Sequence, residues 1–204
     1  MYKLTYFDIT ALGEPIRLIL TYGKMEFEDN RVTFEEWPMV KLNMPFGQVP
    51  VLEHDGKVMN QSLAICRYLA KLTKLDGSSD WENLEIDAAA ETISDLRTKI
   101  GLFYYEKDSL VKEAKKKEVF EEILPFYLEK IEAQIQKNEG HLACKKLTWA
   151  DFYLIGILDY VNMMLDVDLA EKYPGIKIIQ DKLLDIDDIK NWFDEHPRME
   201  RKKE

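Results

Sequence analysis

Residues 44–62, MPFGQVPVLEHDGKVMNQS, form the most informative segment of this chain for its fold. Val49 to Glu53 is a β-branched, apolar run that begins a strand, and Asp55-Gly56 is the dipeptide typical of a type I′ hairpin turn. Lys57 to Met59 is then the returning strand. Pro50 has no N–H to donate, so the first strand must begin at an edge or at a bend.

A helix follows the hairpin directly. Asn60-Gln61-Ser62 offers capping side chains, and the apolar residues Ile65, Leu69 and Leu72 recur at the spacing of one buried helical face. A helix N-terminus presents free N–H groups and the positive end of the helix dipole, so Ser62 lies where an anion would bind. The hairpin and the start of this helix therefore form a candidate ligand site.

The residues before this stretch predict a βαβ unit. Lys3 to Phe7 is a short strand, a helix runs from Pro15 to Gly23, and Phe27 to Thr33 is a second strand. Two strands joined through a helix are expected to be parallel neighbours in one sheet. Phe34 to Pro45, which carries Trp37, is predicted to be irregular.

The residues after the stretch predict a second, all-helical domain. Leu75 to Asp80 is a polar linker, so we expect an α/β domain over residues 1–79 and a helical domain over residues 80–204. Thr148 and Asp151 have the spacing of a capping box, and the apolar run that follows them predicts a central helix.

The C-terminal residues complete the helical domain. Residues 176–193 predict one or two amphipathic helices, and residues 196–204 predict a charged tail.

Composition excludes several classes of function. The chain has 204 residues and a formal net charge of −10, which disfavours a nucleic-acid-binding protein. Two cysteines are too few for a disulfide framework. No apolar run approaches the ~18 residues of a membrane span, and no signal peptide is evident, so we expect a cytoplasmic protein.

Motifs for common catalytic chemistry are missing from the sequence. His54, His141 and His196 show no metal-ligand spacing, so no metal site is expected. There is no nucleophile-elbow motif, no phosphate-binding loop and no Cys-x-x-Cys pair. The remaining candidates are scattered polar and aromatic residues, each of which alone is also consistent with ordinary packing, solvation or helix capping: Tyr6, Trp37, Lys41, Gln61 and Ser62.

The order of these residues resembles that of the cytosolic glutathione transferases, from Lys3 to about Pro197. The segments that carry the resemblance are KLTYF, GEPIRLIL, EEWPMVK, MPFGQVPVLE, NQSLAICRYLA, WENLEID and LTWADF. Within that family the chain is most similar to the invertebrate sigma class, which is related to the glutathione-dependent prostaglandin D synthases. The resemblance implies a thioredoxin-like N-terminal domain, an all-α C-terminal domain, and a cis peptide bond between Val49 and Pro50.

The resemblance also implies a role for each site residue. Tyr6 would hydrogen-bond the glutathione sulfur and favour its thiolate. Asp95 of a partner subunit would reach the γ-glutamyl amine, so we expect a homodimer. The other residues implied to contact glutathione are Trp37, Lys41, Gly47, Gln48, Val49, Pro50, Gln61 and Ser62.

The expected activity is conjugation of glutathione, as co-substrate, to electrophiles such as lipid-peroxidation aldehydes, with peroxidase activity as a related reaction. The acceptor pocket is expected near Phe7, Leu12, Leu102 and Tyr105. Leu12 stands where the vertebrate prostaglandin D synthases have an arginine. A prostaglandin D isomerase, a crystallin-like structural protein and a glutathione-binding regulatory module remain open as alternatives.

Overall fold

The computed structural model describes residues 1–196, so most of the predicted charged tail lies outside the described residues. Within them, four strands form one mixed sheet in the order β2-β1-β3-β4. The strands are β1 (Tyr2–Phe7), β2 (Phe27–Val32), β3 (Val51–His54) and β4 (Lys57–Asn60). β1 is parallel to β2 and antiparallel to β3, which confirms the predicted βαβ unit.

The turn between β3 and β4 has the predicted type I′ geometry. Asp55 has a φ of 48° and Gly56 a φ of 73°, and this turn requires positive φ at both central residues. The Val49–Pro50 peptide bond is cis, as the resemblance implied.

The prediction that residues 34–45 are irregular is wrong in part. A short helix, α2 (Trp37–Val40), is followed by 3₁₀ turns at Lys41–Asn43 and Pro45–Gly47. Two local features explain the helix. Pro38 stands in its first turn, where a proline is tolerated, and the Glu36 carboxylate accepts hydrogen bonds from the N–H and hydroxyl of Thr33.

Helices make up most of the remaining structure. Two of them belong to the N-terminal part: α1 (Glu14–Tyr22) and α3 (Ser62–Thr73). The others, with a π-helical turn at Val119–Ile123, are α4 (Asp80–Tyr104), α5 (Ser109–Glu118), α6 (Leu124–Lys137), α7 (Trp149–Leu165), α8 (Leu169–Lys172), α9 (Pro174–Leu184) and α10 (Asp187–Glu195). The predicted amphipathic segment 176–193 is thus two helices, and α4 begins at Asp80, where the polar linker ends.

The central helix of the molecule is α7, as its apolar sequence predicted. Nearly all of its residues are buried, and Thr148 and Asp151 form the predicted capping box at its start. It packs against both α1 and α4. Gly156 lies at the crossing with α1, where a Cβ would be only 2.6 Å from the Pro15 nitrogen, so the glycine permits this close approach. No helix of residues 1–196 is long and apolar enough to cross a membrane.

Candidate functional site

Tyr6 lies buried at the end of β1 beside the loop that leads to α1. Its ring packs against Gly13, where a Cβ would be 2.3 Å from Tyr6 Cδ1, so any larger residue would displace the ring. The Tyr6 hydroxyl oxygen accepts a hydrogen bond of 3.1 Å from the Leu12 N–H. The loop therefore fixes both the ring and the hydroxyl of Tyr6.

The ionisation of Tyr6 is set by opposing influences. Burial raises the pKa of Tyr6 to about 12, while the Leu12 N–H and the positive charges of Arg17 and Arg97 act in the opposite direction. Tyr6 is therefore a neutral phenol at physiological pH. Among the hydrogen bonds of residues 1–196, the Tyr6 hydroxyl acts as an acceptor from the Leu12 N–H and not as a donor, so its proton can be donated to a ligand.

Trp37 and Lys41 lie in the helical segment after β2. The Trp37 ring packs edge-on against Phe7, with 5.0 Å between ring centroids. Lys41 is exposed, and within residues 1–196 it takes part in no ion pair. Its aliphatic chain lies against Gly47, where a Cβ would be 3.1 Å from Lys41 Cε. Gly47 has a φ of 59°, which a residue with a side chain rarely adopts.

Val49 lies immediately before β3 and is half-buried. Among the loop and turn hydrogen bonds of the described residues, none uses the backbone of Val49. Gln48 on one side is exposed, and Pro50 on the other is buried. The backbone of Val49 thus has the character of an unpaired strand edge, to which an extended peptide can add.

The N-terminus of α3 differs from the prediction that a side chain would cap it. Gln61 is the N-cap, but its side chain makes no capping hydrogen bond. Its φ is 73° and its ψ 107°, a backbone conformation that costs about 1–3 kcal/mol in a residue with a side chain. Ser62 is the first helical residue and is 8% exposed. The strained backbone of Gln61 and the first-turn N–H groups, which no side chain of the N-cap residue caps, mark this end of α3 as a candidate anion site.

A cavity of about 520 Å³ opens near Tyr105, at the end of α4. Leu102 and Tyr105 line it, whereas Phe7 and Leu12, also expected there, lie outside its lining. The hydroxyl of Tyr105 is hydrogen-bonded to that of Tyr160 from α7. The remaining lining residues are Arg97, Thr98, Gly101, Glu106, Lys107, Lys115 and Met164.

The sequence analysis did not single out Tyr160 or Arg97. Tyr160 stands in the apolar run of the central helix, where a core position was expected. Arg97 follows the buried Leu96 in α4, and its Nε atom is buried without a hydrogen-bond partner among the described residues. The available signal for Arg97 was its position directly after Leu96, a buried member of the apolar stripe of α4.

Asp95, which the resemblance assigns to a partner's site, is exposed on α4.

No group of three or more His, Cys, Asp or Glu side chains in residues 1–196 is arranged to hold a metal ion. The two thiols are poor nucleophiles, because burial raises the pKa of Cys66 and raises that of Cys144 to about 11.

Comparison with known proteins gives consistent matches over both halves of the chain. The family model described as "Glutathione S-transferase, N-terminal domain" matches residues 2–71, and the one described as "Glutathione S-transferase, C-terminal domain" matches residues 94–196.

Individual proteins match over nearly the full chain. The chain is 47% identical to glutathione S-transferase S1 of Drosophila melanogaster over 96% of this chain and 79% of that protein. It is 34% identical to human hematopoietic prostaglandin D synthase over 97% of each. A solved structure of prostaglandin synthase D of Nilaparvata lugens superposes with a TM-score of 0.92 at 43% identity, over 98% of this chain and 100% of that one.

Proposed function

This chain belongs to the glutathione S-transferase family, and we propose how its site binds and activates glutathione. The enzyme is a glutathione transferase, which joins the sulfur of glutathione to an electrophilic acceptor. The fold places the hairpin, the start of α3 and Tyr6 in the N-terminal part, and the cavity at the end of α4 in the helical part. We assign glutathione to the first region and the acceptor to the second.

The observation that carries the mechanism is the setting of Tyr6. Its hydroxyl oxygen accepts the Leu12 N–H, and its pKa of about 12 keeps the phenol protonated. Such a donor stabilises a thiolate more than a thiol and so lowers the pKa of bound glutathione. A free thiol has a pKa of ~8.5, and lowering it by two units requires about 2.7 kcal/mol of differential stabilisation.

The two ends of glutathione would be held by different elements. Ser62 and Gln61 would bind the γ-glutamyl carboxylate at the N-terminus of α3, where the helix dipole favours an anion. The unpaired backbone of Val49 would pair with the cysteinyl residue like an added strand. The side chains that would face the glycyl carboxylate are Trp37 and Lys41, with Gly47, Gln48 and Pro50 lining the groove.

The acceptor would occupy the cavity lined by Leu102 and Tyr105. With an α,β-unsaturated aldehyde, the thiolate forms a carbon–sulfur bond at the β-carbon, and the α-carbon of the resulting enolate takes up a proton. With a lipid hydroperoxide, the thiolate attacks the terminal peroxide oxygen, the O–O bond breaks, and the lipid leaves as its alcohol after taking up a proton. A second glutathione then reacts with the resulting sulfenic acid, which gives glutathione disulfide and water. We propose lipid-peroxidation aldehydes as the main acceptors and detoxification as the role.

We also propose that the protein is a sigma-class enzyme that acts as a cytoplasmic homodimer. The exposed carboxylate of Asp95 would extend to the γ-glutamyl amine bound by the partner subunit. Each site would then be complete only in the dimer.

Tyr6→Phe tests the mechanism. Without the hydroxyl, glutathione affinity should change little, while turnover with chlorodinitrobenzene at neutral pH should fall about 10–100-fold. The pKa of the bound thiol, followed by thiolate absorbance against pH, should rise. Tyr2→Phe is the matched control, because it removes another buried phenol from β1 and should leave both quantities unchanged. Wild-type turnover by Tyr6→Phe at neutral pH would overturn the mechanism.

A prostaglandin D isomerase is the second candidate function. The similarity to the human and Nilaparvata lugens prostaglandin synthases favours it. An acceptor panel with and without glutathione, including a prostaglandin endoperoxide and an unsaturated aldehyde, separates the two candidates. Isomerisation of the endoperoxide without conjugation of the aldehyde would favour the second.

A further inference from the structure

Arg17, whose positive charge acts on Tyr6, is a fully buried cation in the apolar helix α1. Its side chain is 0% exposed, and its Nε donates to Asp29 Oδ1 at 3.0 Å. A buried guanidinium is stable only when its donors are paired, so its partners show what it holds in place.

Arg17 holds the loop that carries the Leu12 N–H. Its Nη1 donates to the Ile9 carbonyl at 2.8 Å, and its Nη2 donates to the Phe7 carbonyl at 3.2 Å. Both carbonyls lie between Tyr6 and Leu12. The guanidinium carbon is also 5.8 Å from the centre of the Tyr6 ring. Arg17 therefore fixes the loop geometry on which the hydrogen bond to Tyr6 depends.

Glu14 connects Arg17 to the far end of the chain. One oxygen of its buried carboxylate accepts from Arg17 Nη1 at 3.1 Å. The other accepts from the indole N–H of Trp192, on α10, at 2.6 Å. The Trp192 ring is further held by Phe27, with ring centroids 5.9 Å apart, and is stacked on His196.

We propose that Trp192 is a positioning residue for Tyr6, which it orients through Glu14, Arg17 and the Phe7–Leu12 loop. The C-terminal helix α10 is thereby part of the machinery that sets the thiolate. This proposal rests on the role proposed above for Tyr6.

Loss of the Trp192 indole N–H should change the pKa of bound glutathione in a defined direction. Without the indole N–H, one Glu14 oxygen loses its partner, and the carboxylate then competes with the loop carbonyls for Arg17. A looser loop weakens the Leu12 hydrogen bond to Tyr6, which makes the phenol a poorer donor to a thiolate. The pKa of bound glutathione should rise in consequence. The charged or titratable groups that influence Tyr6 are Arg17 on α1, Arg97 on α4, and the phenols of Tyr105 and Tyr160.

Trp192→Phe is the direct test, because it keeps an aromatic ring against Phe27 and removes only the donor. With the enzyme saturated with glutathione, the acidic limb of the pH profile of kcat/KM for the electrophile should move upward by about half a pH unit. Turnover at pH 6.5 should fall about threefold and approach that of the wild type at pH 9. Asp194→Asn, an exposed change on the same helix, is the control and should leave the profile unmoved.

Glu14→Gln and the double variant Glu14→Gln/Trp192→Phe complete the test. If both residues act through one hydrogen bond, the pH midpoint of the double variant should equal that of the more affected single variant. Additive shifts, an unmoved midpoint, or a loss of activity by the same factor at every pH would each overturn the proposal.

The test also separates this proposal from the one on which it rests. Normal turnover by Tyr6→Phe would contradict both the role of Tyr6 and the role of Trp192. If Tyr6→Phe shows the expected loss of turnover but the pH profile of Trp192→Phe is unchanged, only the role of Trp192 is contradicted.

Discussion

Tyr6 is subject to burial, which favours its neutral phenol, and to two arginines, which favour its anion. Arg17 approaches from α1, within its own part of the fold, whereas Arg97 approaches from α4 in the helical part. The same positive charges would stabilise a thiolate bound beside the Tyr6 hydroxyl. Arg97 is the cation of the helical part that acts on Tyr6.

Arg97→Leu should therefore raise the pKa of bound glutathione. A unit charge acting at a partly screened distance is worth about 1 kcal/mol, so the rise should be about one pH unit or less. Turnover at neutral pH should fall as the thiolate fraction falls, and recover as the pH is raised above the new pKa. Thiolate absorbance of the enzyme–glutathione complex against pH measures the shift.

Lys99→Met is the control for Arg97→Leu. It removes one positive charge from the same helix at an exposed position two residues away. Its complex should titrate like that of the wild type. An equal shift in both variants would mean that net charge, rather than the position of Arg97, sets the pKa.

Sequence reasoning reached Tyr6 and Ser62, but not the residues that position Tyr6. The position of Ser62 at the start of a helix follows from a local pattern, whereas the role predicted for Tyr6 came from the family resemblance, because a tyrosine at the end of a strand is by itself compatible with ordinary packing. The Trp192 indole N–H donates a hydrogen bond to Glu14, which lies 178 residues earlier in the sequence, and only tertiary packing creates this contact. Arg17 gave a weaker signal, since one charge in an apolar helix is compatible with either burial or exposure of its head group.

The first turn of α7 contains a buried carboxylate that accepts two backbone hydrogen bonds. The Asp151 carboxylate accepts from the Thr148 N–H at 2.8 Å and from the Leu142 N–H at 2.9 Å, and Asp151 is 0% exposed. The helix that joins both parts of the molecule is thus anchored by one buried carboxylate. The capping box was predictable from the spacing of Thr148 and Asp151, but the bond to Leu142 was not, because it comes from the preceding loop.

Asp151→Ala should lower the free energy of unfolding by about 2–4 kcal/mol, because it leaves two buried N–H groups without an acceptor. Urea denaturation followed by circular dichroism measures the loss. Asp108→Ala is the matched comparison, since Asp108 also accepts from two N–H groups but caps the exposed start of α5. Its loss should be smaller, because water replaces the missing acceptor. Equal losses would show that the cap alone, and not its burial, decides the effect.

The exposed face of α4 is the surface that the homodimer proposal requires. Trp81 is 69% and Leu84 55% exposed, and Ala88 and Asp95 are also exposed. The spacings of three, four and seven residues place all four on one face of the helix. An apolar half followed by a carboxylate suits a contact with a second copy, in which the apolar residues pack and Asp95 enters the partner's site.

Leu84→Glu should separate the dimer, because the interface would have to bury an unpaired charge. In sedimentation velocity at micromolar concentration, the wild type should run as a dimer and Leu84→Glu as a monomer. The KM for glutathione should rise about tenfold in Leu84→Glu, and by a similar factor in Asp95→Ala, which should remain dimeric. Leu110→Glu places the same charge on the exposed face of α5, at a residue 82% exposed, and should change neither property. A monomeric wild type whose KM is unaffected by Asp95→Ala would contradict the intersubunit site, while leaving the role of Tyr6 intact.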